Sequence, residues 1–278
     1  MKYQNSMQKF LVFAVALMIT SVNYAQTDSL RESKSGLDLS VNYISNLNYY
    51  GRLDSTKSSG ISPMAEFWFN QNFYANLSPY FEITRYSFMQ YAGVNGGIGY
   101  QYSGDKFFFS AGFVKSFFND NSFVPQSIVK SQVNTMATYF NDILNISGGA
   151  DLKFSDKTDL IFNVGLDHSI YSFGKDKGIW IIDPSINVNI GSNYFSRYYF
   201  ELDPSEKVLK ELKKIKPLST ELSVPLFYLK GKWTFLLFPT YVIPMNLVDI
   251  FDTNQYKELG KSSFYLTAGF KYRFNRKQ

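Results

Sequence analysis

Strict alternation of apolar and polar residues, held over segments of about eleven residues, constrains this chain more than any other feature. Phe73, Ala75, Leu77, Pro79, Phe81 and Ile83 interleave with Tyr74, Asn76, Ser78, Tyr80, Glu82 and Thr84. Leu160, Phe162, Val164 and Leu166 interleave with Asp159, Ile161, Asn163, Gly165 and Asp167. Trp180, Ile182, Pro184, Ile186, Val188 and Ile190 do the same with Ile181, Asp183, Ser185, Asn187 and Asn189. Successive strand side chains point to opposite faces, so each segment has one greasy face and one mainly polar face. Soluble strands usually run to roughly five or six residues, whereas a tilted strand crossing a bilayer needs about ten.

Twelve such segments are expected, over 37–50, 61–69, 73–84, 91–102, 107–116, 143–154, 159–170, 179–190, 194–202, 218–229, 233–244 and 262–274. Short connectors rich in Gly, Asn, Asp and Ser (70–72, 103–106, 155–158, 191–193, 230–232) alternate with longer ones (51–60, 85–90, 117–142, 171–178, 203–217, 246–260). Tight hairpin chemistry on one side and longer loops on the other describe an up-and-down meander with an even number of strands. The expected fold is therefore all-β: a single antiparallel transmembrane β-barrel of about 12 strands over 37–274. No stretch after the N-terminus is long and apolar enough for a membrane helix. A soluble sandwich would also alternate, but it would not need aromatics at strand ends, as Phe67, Phe69, Tyr100, Tyr102, Phe107, Trp233, Tyr272 and Phe274 are placed. Pro63, Pro79, Pro184 and Pro239 on the apolar register are awkward for either sheet.

Composition narrows the chemistry. The 27 Phe and 21 Tyr exclude a disordered polymer. The absence of cysteine excludes disulfides, thiolate metal sites and thiol catalysis, and the one histidine, His168, excludes a site built on several imidazoles. No cofactor, metal site or catalytic set is expected, and no phosphate loop or dinucleotide fingerprint occurs. Lys2 and Lys9 precede the apolar run Phe10 to Ile19 and a polar stretch ending Tyr24-Ala25-Gln26, which predicts a signal peptide over 1–25. Residues 26–36 then form a lead-in, and 275–278 a C-terminal tail. Removing 1–25 takes away Lys2 and Lys9 and no acid, so the formal charge falls from +5 to +3, too little to predict a nucleic-acid partner.

The last segment, Ser263-Phe264-Tyr265-Leu266-Thr267-Ala268-Gly269-Phe270-Lys271-Tyr272-Arg273-Phe274, alternates up to a terminal aromatic. It is similar to the C-terminal strand by which outer-membrane barrels are recognised for insertion. With the Ala25-Gln26 junction, the chain resembles the outer-membrane β-barrel proteins of the Bacteroidetes type. The likeness implies the cell outer membrane, contact with its lipid and lipopolysaccharide, and the barrel-assembly machinery as a transient partner. Four residues follow the terminal Phe274, a departure from barrels that end on it. The likeness carries no catalytic or ligand residues.

Assigning the polar register to the lumen collects nine acids, Asp38, Glu66, Glu82, Asp151, Asp159, Asp167, Asp183, Glu201 and Glu221, against four bases, Lys153, Arg197, Lys271 and Arg273. Twelve strands lie between side-chain-filled eight-stranded barrels and open porins. Gly97, Gly99, Gly112, Gly149, Gly165 and Gly269 on this register are expected to leave space. The reading is a narrow passive channel with weak cation preference, with Glu66, Glu82, Asp183, Arg197, Glu221, Lys271 and Arg273 as pore-lining candidates. A structural or partner-binding barrel, its work done by loops 117–142, 203–217 and 246–260, is the alternative. A surface lipid hydrolase is a third reading, resting on His168 at the outer end of its strand near Asp167, Ser169 and Ser172. Ser169 is adjacent and faces the other way, and Ser172 lies too far along an extended strand. Finally, Asp203-Pro204-Ser205-Glu206 supplies a helix start, Val208, Leu209, Leu212 and Ile215 a stripe, and Pro217 a stop, so one external loop carries a short helix.

Overall fold

The computed structural model describes residues 35–53, 58–84, 87–118, 129–155, 157–174, 178–195, 206–247 and 261–275. The expected signal peptide, most of the lead-in, residues 276–278, Arg197 and Glu201 lie outside these. The chain runs through β1 (Gly36–Ile44), the two-residue strands β2 (Asn48–Tyr49) and β3 (Arg52–Leu53), β4 (Ser59–Trp68), β5 (Phe73–Ile83) and β6 (Gln90–Ser103). It continues through β7 (Phe107–Phe118), β8 (Ser131–Tyr139), β9 (Asn145–Phe154), β10 (Thr158–Asp167), β11 (Ile170–Phe173), β12 (Ile179–Ile182) and β13 (Ser185–Gly191). The single described α-helix, α1 (Glu206–Leu212), precedes β14 (Lys216–Ser223), β15 (Leu226–Lys230), β16 (Trp233–Pro244) and β17 (Ser263–Asn275).

Antiparallel pairing runs β1–β4–β5–β6–β7–β8–β9–β10–β13–β14–β16–β17, and β17 returns to β1, with Gly36 opposite Asn275 and Ile44 opposite Thr267. This closes a barrel of twelve wall strands, with β11, β12 and β15 as continuations of β10, β13 and β14. Closure leaves no edge, which is what lets a sheet sit in hydrocarbon.

Burial fixes which face is which. On β1, Asp38, Ser40 and Asn42 are 2%, 9% and 6% exposed, whereas Leu39, Val41 and Tyr43 are 42%, 46% and 37% exposed. The buried row is polar and the exposed row apolar, the reverse of a soluble sandwich, so the outer surface is a lipid-facing belt. Aromatics collect at its edges: Phe67 with Phe69, Trp233 with Tyr272, and Tyr272 with Phe274 have ring centroids 5.1, 4.3 and 4.5 Å apart. They lie at the end that holds Gly36, Asn275 and the tight turns, the periplasmic end of such barrels.

The prolines that looked awkward sit where the ladder is interrupted. Pro63 and Pro79 fall in a gap of the β4–β5 pairing, and the hydroxyls of Ser62 and Ser78, 2.6 Å apart, take over there, Ser78 donating to the Pro63 carbonyl at 2.9 Å. Pro184 and Pro225 stand at the breaks between β12 and β13 and between β14 and β15. Their carbonyls accept from His168 N and Asp183 N, so the breaks line up across neighbouring strands.

One of the twelve expected segments is exchanged for another. β8 lies inside the expected 117–142 loop, and where a strand was expected over 194–202, Tyr194 and Phe195 form a tight turn while 196–202 lie outside the described residues. The outward row of β8 (Val133, Thr135, Ala137, Tyr139) is only weakly apolar, so its alternation is faint in the sequence. The exchange reverses the sense of β9 through β13. The turn after β9 therefore joins the loop side, and the connection after β11 the periplasmic side.

Candidate functional site

Among the described residues the lumen face carries eight of the nine expected acids and three of the four expected bases, all buried or half-buried. At the periplasmic end Asp38 lies directly across from Arg273 on one side and Glu66 on the other. Arg273 grips its carboxylate with two N–H groups, Nε to Oδ1 at 2.9 Å and Nη2 to Oδ2 at 2.8 Å, and Lys271 Nζ stands 3.0 Å from Oδ2. A buried carboxylate requires such partners, since stripping water from a lone charge costs several kcal/mol or more, roughly. Glu66, 1% exposed, accepts from Trp68 Nε1 at 2.9 Å. Of the pore-lining candidates the structure thus brings Glu66, Lys271 and Arg273 together around Asp38. It keeps the others apart: Glu82 lies at the loop end opposite Gly60 and Gln90, and Glu221 accepts from Asn189 Nδ2 at 2.9 Å. Asp183 accepts from Ser169 Oγ at 2.9 Å, and Arg197 lies outside the described residues.

The glycines do not leave space as expected. A Cβ on Gly99 would strike the Tyr74 ring, one on Gly112 would meet Asn134 Oδ1 at 2.9 Å, and one on Gly269 Asn42 Oδ1 at 2.6 Å. A neighbouring side chain lies over each of these three glycines, and at Gly149 the Thr135 carbonyl takes that place. Accessible interior persists lower down, where the inward Asn76, Ser147, Asn163, Asn187 and Lys271 are only half-buried.

Above them the first part of the loop between β1 and β4, which the sequence suggested was the end of a strand, packs into the lumen. β2 and β3 form a small hairpin whose turn residues, Tyr50 and Gly51, both have positive φ, +46° and +83°. That is the geometry of a two-residue turn whose twist suits a hairpin, and Gly51 has a second reason to be glycine. A Cβ there would lie 2.8 Å from Pro244 Cα and 3.2 Å from Ser219 Cβ. Leu47 and Tyr49 are 1% exposed and Tyr50 7%. Tyr49 packs edge-on against Phe195 at 4.6 Å. Lys153 Nζ lies 4.4 Å from the Tyr49 ring centroid and 4.5 Å from that of Tyr50, while the Tyr50 hydroxyl donates to Asp151 Oδ2 at 3.0 Å. A cation over two aromatic faces in a dry site is attracted to both. Asp159, across from Lys153, accepts from Ser192 Oγ, Tyr194 N and Phe195 N at 2.7, 2.8 and 3.0 Å, holding the Phe195 turn against the plug. The sequence places Asp151, Lys153 and Asp159 on the lumen face but does not show the loop that meets them. The available signal was the hairpin string Asn48-Tyr49-Tyr50-Gly51 at a supposed strand end.

His168 is exposed and outward, in series with Phe162, Val164 and Leu166, but at the periplasmic end rather than the outer one. The reversal of β10 moves it there. Ser169 points the other way and is committed to Asp183, and Ser172 is four residues on. No Ser–His pair forms from these residues. Among the described residues no group of three or more His, Asp or Glu is placed to hold a metal ion.

The external helix is present but shorter than the expected stripe. Leu212 is fully buried and its carbonyl accepts from Asn193 N at 2.9 Å, whereas Ile215 is 56% exposed. Ordered turns beyond Leu212 follow from Glu211, whose carboxylate binds Lys214 and Lys216, the latter at 2.8 Å. Hydrogen bonds from the Lys214 and then the Lys216 ammonium hold its carboxyl down at about 2, against an opposing effect of desolvation. Asp203, Pro204 and Ser205 lie outside the described residues.

No protein-family model and no curated protein sequence matches the chain. Among solved structures the KdgM porin is similar over 85% of this chain and 99% of its own, at 12% identity and a TM-score of 0.50, which is a likeness of fold. The NanC porin (12% identity, 85% and 98% covered, TM-score 0.44) and LpxR from Salmonella typhimurium (8%, 84% and 99%, 0.45) are fainter likenesses. Closed pairing, an apolar belt and a polar lumen together make this chain a twelve-stranded β-barrel of the outer membrane.

Proposed function

We propose that the protein is a narrow passive channel for small solutes with a weak preference for cations. The observation that carries this reading is the charge of the lumen wall: eight acids against three bases among the described residues. Asp38 and Glu66 form a local cluster with Lys271 and Arg273, so the excess is contributed by Glu82, Asp151, Asp159, Asp167, Asp183 and Glu221 against Lys153. Rings of carboxylates favour cations, and low-dielectric walls focus their field. The half-buried polar side chains beneath the plug and the fold shared with the KdgM porin support the same reading. As the carboxyls ionise, cation preference grows from low to neutral pH, and high salt screens it.

Reversal potentials across a potassium chloride gradient in planar bilayers are the test. A preference for chloride at neutral pH would overturn the assignment. The buried plug favours a second reading, a sealed structural barrel, and that reading requires silence under all conditions. For partners, we propose that the exposed Lys210, Lys213 and Lys214 face lipopolysaccharide phosphates, and that the aromatic-ended β17 engages the barrel-assembly machinery during insertion.

A further inference from the structure

We infer that residues 45–51 are a gate: a tyrosine-tipped plug latched to the wall by Lys153 and Asp151, whose withdrawal opens the lumen. The inference rests on the channel reading and names how that channel is regulated.

The plug differs from the wall in how it is held. Each wall strand is bound along its length by two ladders, and breaking one would open the barrel to lipid. The plug is a hairpin of two-residue strands, too short to be stable by itself, and it is held by side-chain contacts and by the burial of Leu47, Tyr49 and Tyr50 in the lumen's apolar cluster. Three of the contacts sit at its tip. Lys153 touches both tyrosine rings, Tyr50 donates to Asp151, and Phe195 packs edge-on against Tyr49. Its stem is tied to β17 by Asn48 Nδ2 donating to Ser263 Oγ at 2.8 Å and Asn46 Nδ2 donating to the Phe264 carbonyl at 3.0 Å. Tyr50 also occupies a left-handed backbone conformation that non-glycine residues rarely adopt, so the tip is held by its contacts rather than by local preference. Asp159 lies directly across the ladder from Lys153 and Asp151 shares its face of β9, so withdrawal of the tip leaves the ammonium facing two carboxylates. A gate requires two arrangements of the same wall, here with the tip seated and with the tip withdrawn.

Because the chain has no cysteine, the plug can be tied down cleanly. The double variant Asn48→Cys/Ser263→Cys, oxidised, joins the stem to β17, and reduction frees it. Single-channel recording in planar bilayers should show the oxidised form silent and the reduced form flickering. Tyr50→Phe, which gives up the Asp151 bond, and Lys153→Met, which gives up both ring contacts, should each raise the open-to-closed ratio about tenfold or more at unchanged unit conductance. Heat-modifiable gel migration confirms that each variant is a folded barrel. If the cross-linked protein conducts as the reduced one does, the gate is wrong while the channel stands. If no form conducts, including one with residues 47–51 replaced by two glycines, the channel reading fails and the gate with it.

Discussion

Replacing Asp159 by alanine should cost more stability than any other single lumen substitution that leaves the seam between β1 and β17 intact. Its carboxylate, 2% exposed, is the shared acceptor for the Ser192 hydroxyl and for the backbone N–H groups of Tyr194 and Phe195. Hydrogen bonds to a charged acceptor contribute about 1.5–3 kcal/mol each, and a buried donor left without a partner costs about 1–3 kcal/mol. Three donors orphaned at once give a loss of roughly 4–6 kcal/mol, with some relief from relaxation of the turn. Asp159→Asn keeps one carbonyl oxygen and should cost about 2 kcal/mol. Urea unfolding of the barrel in lipid vesicles, followed by tryptophan fluorescence, reads the difference. With a slope of about 2–3 kcal/mol per molar, the alanine variant should unfold roughly 2 M earlier than the wild type and the asparagine variant less than 1 M earlier. An alanine midpoint within about 0.3 M of wild type would refute the idea that this carboxylate organises the turn.

Two further expectations follow from orientation and charge. Trp180 and Trp233 face outward at 48% and 42% exposure, while Trp68 is 3% exposed inside the barrel, so brominated lipid should quench the first two and spare a variant that retains only Trp68. Strong quenching of that variant would invert the assignment of faces. Glu211, held at about 2 by Lys214 and Lys216, has a folded pKa below its unfolded value. Its contribution is therefore present above about pH 4.5 and lost as pH falls from there toward 2. Carboxyl-resolved NMR titration of this exposed group should show an inflection well below that of a free glutamate, and an ordinary midpoint would count against the pairing.

The barrel was legible because lipid imposes a pattern that needs no tertiary knowledge. Leu39, Val41 and Tyr43 must be apolar and Asp38, Ser40 and Asn42 need not be, whatever their neighbours. Where the pattern weakened, as at Val133, Thr135 and Ala137 of β8, the strand was lost, and with it the direction of five following elements. Tyr194 and Phe195 misled in the opposite sense. Phe195 is apolar because it packs inside the lumen against Tyr49, and periodicity cannot tell that inside from the lipid outside. The candidates Glu66, Lys271 and Arg273 were legible as lumen residues from register alone, but the convergence of Lys271 and Arg273 on Asp38 depends on pairing strands more than 200 residues apart in sequence. The plug was least legible of all, since its contacts with Ser219, Pro244 and Ser263 come from remote strands.

That remoteness bears on how the molecule is made. The stem of the first loop is fastened to Phe264, Ser263 and Leu266, at sequence separations of 218, 215 and 221 residues. Contacts so distant are the slow ones in folding, because the chain between them must first be gathered. The stopper is therefore synthesised before the strand it is fastened to and seated only after it, since its anchor points do not exist until β17 has joined β16 and β1. A barrel arrested before that step would be a ring without a stopper, and a chain truncated ahead of Ser263 could never acquire one. Seating of the stopper thus marks the closure of the wall at its last seam.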